Sequence, residues 1–403
     1  MAQAVLAQAR RVAGRVALTL AMAADLKKVK AAAAGRTKKG GKNWKLQYFI
    51  WVGGAIGSIV VACLLLIINP DRGPFQIPVN DQNLISHVNR NSNSWTAAAA
   101  SFFEGWTIGD VKMLEGISVS ATGGGVANCV VPDTPVPESF DARQKWPQCF
   151  NSPIYNMGNC TASWAISTAS ALSNRFCVSS PSEYSELMLS PQQLLSCDSM
   201  NRACNGGDID TAWNYIQREG LVSEICFPYQ ADGSVSCESR CSSEVPLKSA
   251  SHCVLNSESA IRREIFLNGP VVAPLFLMDD FLVYKDGLYE TSNTATQLTD
   301  ARRQRIIHAV KIIGWGSIEK KPYWLVENSW GEDWGDHGYA KVLVGGEDKK
   351  GIVVESYVLA GTPASKKVGD DADEVDADFE GDSDLDDVDL DDDAASGGAD
   401  DDV

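Results

Sequence analysis

The chain has 403 residues, 44% of them hydrophobic, which is enough to bury a large core and to form more than one structural unit. Its formal net charge is −17, but residues 368–403 alone hold 18 Asp or Glu and no Lys or Arg. The acidic balance therefore describes the C-terminus rather than the folded part, and we expect no nucleic-acid partner.

A basic segment opens the chain, with eleven Lys or Arg against the single Asp25 in residues 1–47. Residues 48–68 carry no charge and could span about 30 Å of hydrocarbon as one helix. Because the positive charge lies on the N-terminal side, the pattern predicts a single-pass type II membrane protein with a cytoplasmic tail. The main domain would be lumenal or extracellular, in the endolysosomal or secretory pathway or at the cell surface. An Arg-rich, acid-poor start also fits a transit peptide, whereas the length and position of the apolar run disfavour a cleaved signal peptide.

Cysteine usage supports an oxidising compartment. Ten of the eleven Cys residues follow the predicted anchor, and eight of them lie between Cys149 and Cys241. Their spacings lack the short C-x-x-C pairs that zinc favours, so we predict disulfides and expect neither a metal nor a cofactor.

Beyond the anchor we predict three parts: an extension and linker (71–135), a globular domain (136–361) and a disordered acidic tail (362–403). In the domain, apolar residues at three- and four-residue steps predict helices from Ser163 to about Gly220. Strands are predicted from Val271 onwards. The predicted strands are Val271–Leu277, Phe281–Tyr289, Ile306–Trp315, Tyr323–Asn328 and Tyr339–Val344. A helical lobe followed by an antiparallel, barrel-like β lobe is an α+β fold with a cleft between two lobes.

Three separated motifs resemble those of the papain-like cysteine peptidase family. Residues 156–164, Asn-Met-Gly-Asn-Cys-Thr-Ala-Ser-Trp, are similar to the nucleophile loop of that family. His308 follows Ser163 by 145 residues in a His-Ala-Val motif, and Asn328 follows it by 165 residues in Asn-Ser-Trp-Gly. The resemblance implies that Ser163 occupies the nucleophile position, that His308 pairs with it and that Asn328 orients the His308 ring.

The same resemblance implies a peptide-binding cleft. Cys204-Asn205-Gly206-Gly207 is similar to the family's substrate-binding wall, where a backbone without side chains lies beside an extended peptide. Trp330, in the Asn-Ser-Trp-Gly motif, is a further predicted substrate-binding residue. A peptide or protein ligand is therefore the expected partner in the cleft.

Within the family, residues 80 to 361 resemble cathepsin B, and residues 84–116 look like its short propeptide. The resemblance implies four disulfides and leaves Cys129 and Cys253 without a family partner. These disulfides are Cys149–Cys177, Cys160–Cys204, Cys197–Cys237 and Cys226–Cys241. Only ten residues separate Cys226 from Cys237, too few for the occluding loop of cathepsin B, which implies an open cleft and endopeptidase action.

Two departures from the family pattern bear on activity. Ser163 replaces the nucleophilic Cys, and a hydroxyl cannot form the thiolate–imidazolium pair. Met157 replaces the Gln whose amide lines the oxyanion hole, and loss of one such donor costs about 2.7–4 kcal/mol. Cys160 matches the family's disulfide Cys rather than a substitute nucleophile. We therefore favour a pseudopeptidase that holds an extended peptide or its own propeptide-like segment. The alternative is an active endopeptidase that uses Ser163.

Overall fold

The computed structural model describes residues 76–113, 126–238, 241, 243–300, 302–345 and 350–365. The predicted basic tail, the predicted anchor at 48–68 and nearly all of the acidic tail lie outside these residues. Among the described residues, every helix is too short or too polar to span a lipid bilayer.

The described residues form eight α-helices and nine strands. The helices are α1 (Gln82–Asn91), α2 (Ile108–Met113), α3 (Ala142–Lys145), α4 (Ser163–Ser179), α5 (Pro181–Tyr184), α6 (Pro191–Cys197), α7 (Ile209–Arg218) and α8 (Glu258–Asn268). The strands are β1 (Trp95–Ala97), β2 (Phe140–Asp141), β3 (Ser249–Leu255), β4 (Val271–Phe276), β5 (Tyr284–Tyr289), β6 (Ile307–Ile318), β7 (Lys321–Glu327), β8 (Tyr339–Leu343) and β9 (Val358–Pro363).

The strands form one sheet in the order β1-β5-β8-β7-β6-β4-β9-β3, with β2 paired to β6. The prediction of an antiparallel lobe is wrong at one point, because β5 and β8 are parallel. These two strands are distant in sequence, so no hairpin connects them and nothing local forces the antiparallel direction. The α+β class itself is confirmed.

Helix α4 is the central element of the helical lobe. Fourteen of its seventeen residues are buried, from Ser163 to Cys177. A helix that is buried nearly all round must be packed on several sides, and α4 contacts α6, α7, β6 and β9. The position of Ser163, its first residue, is thus fixed by the core.

Two strands and one helix after residue 220 lie outside the predicted elements. β3 and α8 occupy the stretch between the predicted helices and the predicted strands. β9 runs through Gly361, the predicted end of the domain. A Cβ on Gly361 would lie 2.1 Å from the ring of Trp213 in α7, so the glycine allows the helix to pack on the strand.

Five disulfides are present in the described residues. Four of them are the pairs that the resemblance implies, Cys149–Cys177, Cys160–Cys204, Cys197–Cys237 and Cys226–Cys241. The fifth joins Cys129 to Cys253 in β3 and so ties the linker to the domain. A domain with this number of disulfides is typical of lumenal or extracellular proteins.

The extension packs on the edge of the β lobe as an added strand. β1 pairs antiparallel with β5, and a Cβ on Gly287 would lie 2.4 Å from the Ser94 carbonyl oxygen. The side-chain amides of Asn80 and Asn89 each bond both the N–H and the carbonyl of one residue, Ala100 and Ala97 respectively. The apolar residues buried in this segment are Val79, Ile85, Val88, Trp95, Ala97, Ala100, Phe103, Ile108 and Val111.

We predict that Phe103→Ala destabilises the protein by about 3–5 kcal/mol, as expected for a fully buried aromatic residue. Phe103 contacts Trp330 in the domain, with 5.1 Å between ring centroids. Ile77, in the same extension but 37% exposed, provides the control, and Ile77→Ala should cost about 0.5 kcal/mol or less. Urea unfolding measures both. A loss for Phe103→Ala as small as that for Ile77→Ala would show that the extension does not belong to the folded core.

We also predict that a break in the linker leaves the extension attached. A site for a sequence-specific protease can be placed at residues 131–135. Cleavage there leaves Cys129 in the N-terminal fragment and Cys253 in the C-terminal fragment, and the disulfide still joins the two. After cleavage, a denaturing gel should show one band without reductant and two with it. A variant that carries Cys129→Ser and Cys253→Ser should separate without reductant. Two bands from the parent chain without reductant would contradict the tether.

Candidate active site

Ser163 stands at the beginning of α4, directly after a residue that provides no cap. The preceding residue, Ala162, has no side chain that could bond the first amides of the helix. The free N–H groups of a helix start favour a negative charge, which a thiolate at this position would carry. The Ser163 hydroxyl carries no such charge. It is fully buried, and its Oγ accepts a hydrogen bond of 3.2 Å from the Ala309 N–H.

His308 and Asn328 lie side by side on neighbouring strands. His308 is the second residue of β6, and Asn328 directly follows β7. The His308 Nε2 atom lies 2.8 Å from Asn328 Oδ1, which also accepts from the Ser329 N–H at 2.8 Å. Because an amide oxygen can only accept, Nε2 carries the proton and Nδ1 keeps its lone pair. Among the described residues, no hydrogen bond joins Ser163 to the His308 ring.

The His308 ring is kept neutral by its surroundings. Burial lowers the pKa of His308 to about 4, and the hydrogen bond to Asn328 opposes this shift only in part. Trp330 covers the ring, with 4.7 Å between centroids. Trp330 is itself enclosed by Phe102 and Phe103 from the extension. The indole shields the His308–Asn328 pair from water and is in turn buried.

Met157, predicted at the oxyanion position, has a thioether side chain. Its side chain is buried, and its Sδ atom accepts from the Ser329 hydroxyl at 3.8 Å. Its backbone is fixed by a hydrogen bond of 2.9 Å to the Ser329 carbonyl and another of 2.9 Å from the Tyr229 hydroxyl. A thioether has no proton to donate, so this side chain cannot stabilise an oxyanion.

Gly206 and Gly207 follow Cys204, whose disulfide to Cys160 joins this segment to the nucleophile loop. Gly206 has φ of +94°, a conformation that favours glycine. At Gly207 a Cβ would lie 2.6 Å from the indole of Trp164, the neighbour of Ser163. Glycine at position 207 is thus required by packing, whether or not a peptide lies beside it.

The loop after Cys226 is short and held by two disulfides, Cys226–Cys241 and Cys197–Cys237. In the described residues, one group of three potential metal ligands lies here, namely Cys226, Cys241 and Glu244. The two sulfurs are bonded to each other, which leaves no thiolate for a metal ion.

The fold brings Ser163, His308 and Asn328 to one place, as predicted. Their functional roles, and those of Gly206, Gly207 and Trp330, stay predictions. The Ala309 contribution has no signal in the sequence, because a backbone amide acts there. The aromatic pair Phe102-Phe103 is a visible signal in the extension, but its contact with Trp330 depends on the tertiary fold.

Residues 136–360 match the sequence family described as papain family cysteine protease. Over 311 residues the chain is 33% identical to tubulointerstitial nephritis antigen of Bos taurus, and the match covers 69% of this chain and 64% of that protein. It is 30% identical over 318 residues to human tubulointerstitial nephritis antigen-like, with 69% and 67% covered. The chain thus spans slightly less than two thirds of the first of these relatives.

Two solved structures have similar architecture. ProCathepsin B S9 from Trypanosoma congolense is 30% identical, with a TM-score of 0.62, and the match covers 72% of this chain and all of that one. Digestive procathepsin L 3 from Tenebrio molitor larval midgut, at 24% identity and a TM-score of 0.57, shows the fold alone; the match covers 69% of this chain and 87% of that one.

We predict that His308 makes the protein less stable in acid. In the unfolded chain His308 binds a proton below about pH 6.5, whereas in the folded protein it does so only near pH 4. Between these values the proton favours the unfolded state, so stability falls as pH falls and levels off below pH 4. The His308 contribution to this loss should reach about 3 kcal/mol.

The measurement is urea unfolding of the wild type and His308→Gln between pH 7 and pH 4. The variant keeps a donor for Asn328 but cannot titrate, so the difference between the two curves isolates His308 from the other acidic and basic groups. Parallel curves would contradict the prediction.

Proposed function

The chain belongs to the papain family of cysteine proteases, and we propose that it is a catalytically impaired member that binds extended peptides without cleaving them. The observation that carries this proposal is the state of Ser163. Its hydroxyl is buried, and it accepts a hydrogen bond from Ala309 rather than donating one to His308. A hydroxyl is a weak nucleophile until a base removes its proton, and here the base is not bonded to it.

The oxyanion position points to the same function. Without a donor at Met157, the Ser163 N–H would remain as a single donor for the developing charge. Loss of one donor lowers turnover by roughly a hundred- to a thousand-fold. The inactive nucleophile and the missing donor affect the same step, attack on the carbonyl, so restoring either one alone leaves the other defect in place.

A binding role agrees with the features that remain. Three features do not depend on a catalytic reaction: the glycine segment at 206–207, the buried Trp330 and the two-lobed fold. The extension at 76–113 is the first ligand that we propose. Its Phe102 and Phe103 pack on Trp330, and Ser101 Oγ donates to Asp333 Oδ2 at 2.7 Å. The two similar solved structures are precursors by name, which supports the interpretation of this extension as a propeptide.

We further propose that residues 48–68 anchor the protein as a type II membrane protein. The uncharged run, the basic residues before it and the disulfide-bonded domain after it support this topology. The cleft would then face the lumen or the cell exterior, where extended peptides are its ligands.

An active endopeptidase is the second candidate, and one observation favours it. His308 is neutral and holds its lone pair on Nδ1, the form that a general base needs. The short loop after Cys226 also leaves that end of the domain without a long covering segment. If Ser163 turned toward His308, proton transfer would give an alkoxide at the helix start.

Peptide-library cleavage by three proteins distinguishes the two candidates. The wild type and Ser163→Ala should show no turnover above background. The double variant with Met157→Gln and Ser163→Cys regains a thiol at the helix start and an oxyanion donor, so its turnover should rise at least about a hundred-fold. Turnover by the wild type that Ser163→Ala abolishes, and that thiol reagents leave unchanged, would establish the endopeptidase instead.

Binding is measured separately, by mass spectrometry of the peptides that the immobilised protein retains. Ser163→Ala is the matched control, since it removes one buried oxygen and no cleft surface. The wild type and Ser163→Ala should retain the same peptides. Retention of none by either protein would contradict the binding of free peptides and leave the extension at 76–113 as the one proposed ligand.

A further inference from the structure

The loop before Ser163 contains a signal that the cleft chemistry does not use. Asn159-Cys160-Thr161 has the form N-x-T, the acceptor triplet for N-linked glycans in secreted proteins, and it is the single such triplet in the 403 residues. Asn159 is exposed and lies in a turn after Gly158. Its two neighbours in the triplet are buried in the folded protein.

We propose that Asn159 carries an N-linked glycan. This inference rests on the lumenal placement proposed above. The Asn159 Nδ2 atom would bond to the anomeric carbon of an oligosaccharide carried on a lipid pyrophosphate. The bond from that carbon to the pyrophosphate oxygen breaks, and the amide loses one proton. Transfer takes place on the extended chain, before Cys160 enters its disulfide and Thr161 becomes buried.

The position of Asn159 gives the glycan a consequence for the cleft. Asn159 follows Met157 by two residues and precedes Ser163 by four. Its loop is held against the glycine segment by the Cys160–Cys204 disulfide and by a hydrogen bond of 3.1 Å from the Thr161 N–H to the Cys204 carbonyl. A bulky, hydrated oligosaccharide at this point stands beside the wall of the peptide-binding cleft. It excludes folded proteins more strongly than short peptides.

The chain provides a closely matched control for the glycosylation test. Asn128-Cys129-Val130 has an exposed Asn and a disulfide-bonded Cys in the same order, and Val130 is 98% exposed. Val130→Thr therefore creates the same acceptor triplet at a second surface position. Because both triplets contain a half-cystine, any competition between disulfide formation and glycan transfer affects them alike.

The experiment is expression of the full chain in eukaryotic secretory cells, followed by peptide N-glycosidase and gel mobility. The wild type should show one glycan, which Asn159→Gln removes and Thr161→Ser retains. Val130→Thr should show two. Mass spectrometry of the enzyme-treated protein should find Asp in place of Asn at position 159.

Two results would overturn the proposal in different ways. One glycan on Val130→Thr and none on the wild type would reject Asn159 as an acceptor and leave the lumenal placement standing. No glycan on either protein would reject the lumenal placement together with the glycan.

Discussion

A buried ammonium group at the junction of the two lobes sets the geometry of the site. Lys311 Nζ lies 2.7 Å from Glu327 Oε1 and 2.6 Å from both Ser170 Oγ and Asn174 Oδ1. Burial lowers the pKa of Lys311, while Glu327 favours its charged form. A buried charge is tolerated only when its partners are in place, so the paired strands β6 and β7 and the helix α4 are held in one register. His308 precedes Lys311 by three residues in β6, and Asn328 directly follows Glu327 at the end of β7. The Lys311–Glu327 ion pair therefore fixes the positions of both His308 and Asn328.

This arrangement explains how the site can keep its shape when residues of the family's catalytic pattern are replaced. Ser163 and Met157 differ from the family pattern by a few atoms each, and neither takes part in the pairing of Lys311. Their replacement therefore leaves the strands that carry His308 and Asn328 in place. The reverse does not hold, because removal of Glu327 would leave an uncompensated charge in the interface and disturb the whole junction. The residues that hold the strands and helix together, Lys311 and Glu327, are thus different from the residues that depart from the catalytic pattern, Ser163 and Met157.

Much of the site can be predicted from the sequence, because its residues stand in local motifs with distinctive spacing. Ser163, His308 and Asn328 meet as the resemblance implies, and the helices and strands with regular apolar spacing lie within a few residues of their predicted positions. What cannot be predicted depends on contacts between distant segments. The parallel pairing of β5 with β8 has no local signal. The need for glycine at position 361 is visible only from the contact of this residue with the Trp213 ring. The resemblance to the family does not predict the partner of Cys129 either, because the Cys129–Cys253 disulfide lies outside the family pattern.

The pairing of β1 with β5 has a consequence for how such a protein can evolve. Without the extension, β5 would be an edge strand that presents unpaired backbone groups beside aromatic side chains, a surface prone to associate with other strands. A peptidase accepts this risk when its prosegment must leave to free the cleft. In the function proposed above the extension is itself a ligand, so its departure is not required. Selection can then retain a former prosegment as a permanent part of the fold. The extension is synthesised before the domain, so it can cover the sheet edge as the domain forms.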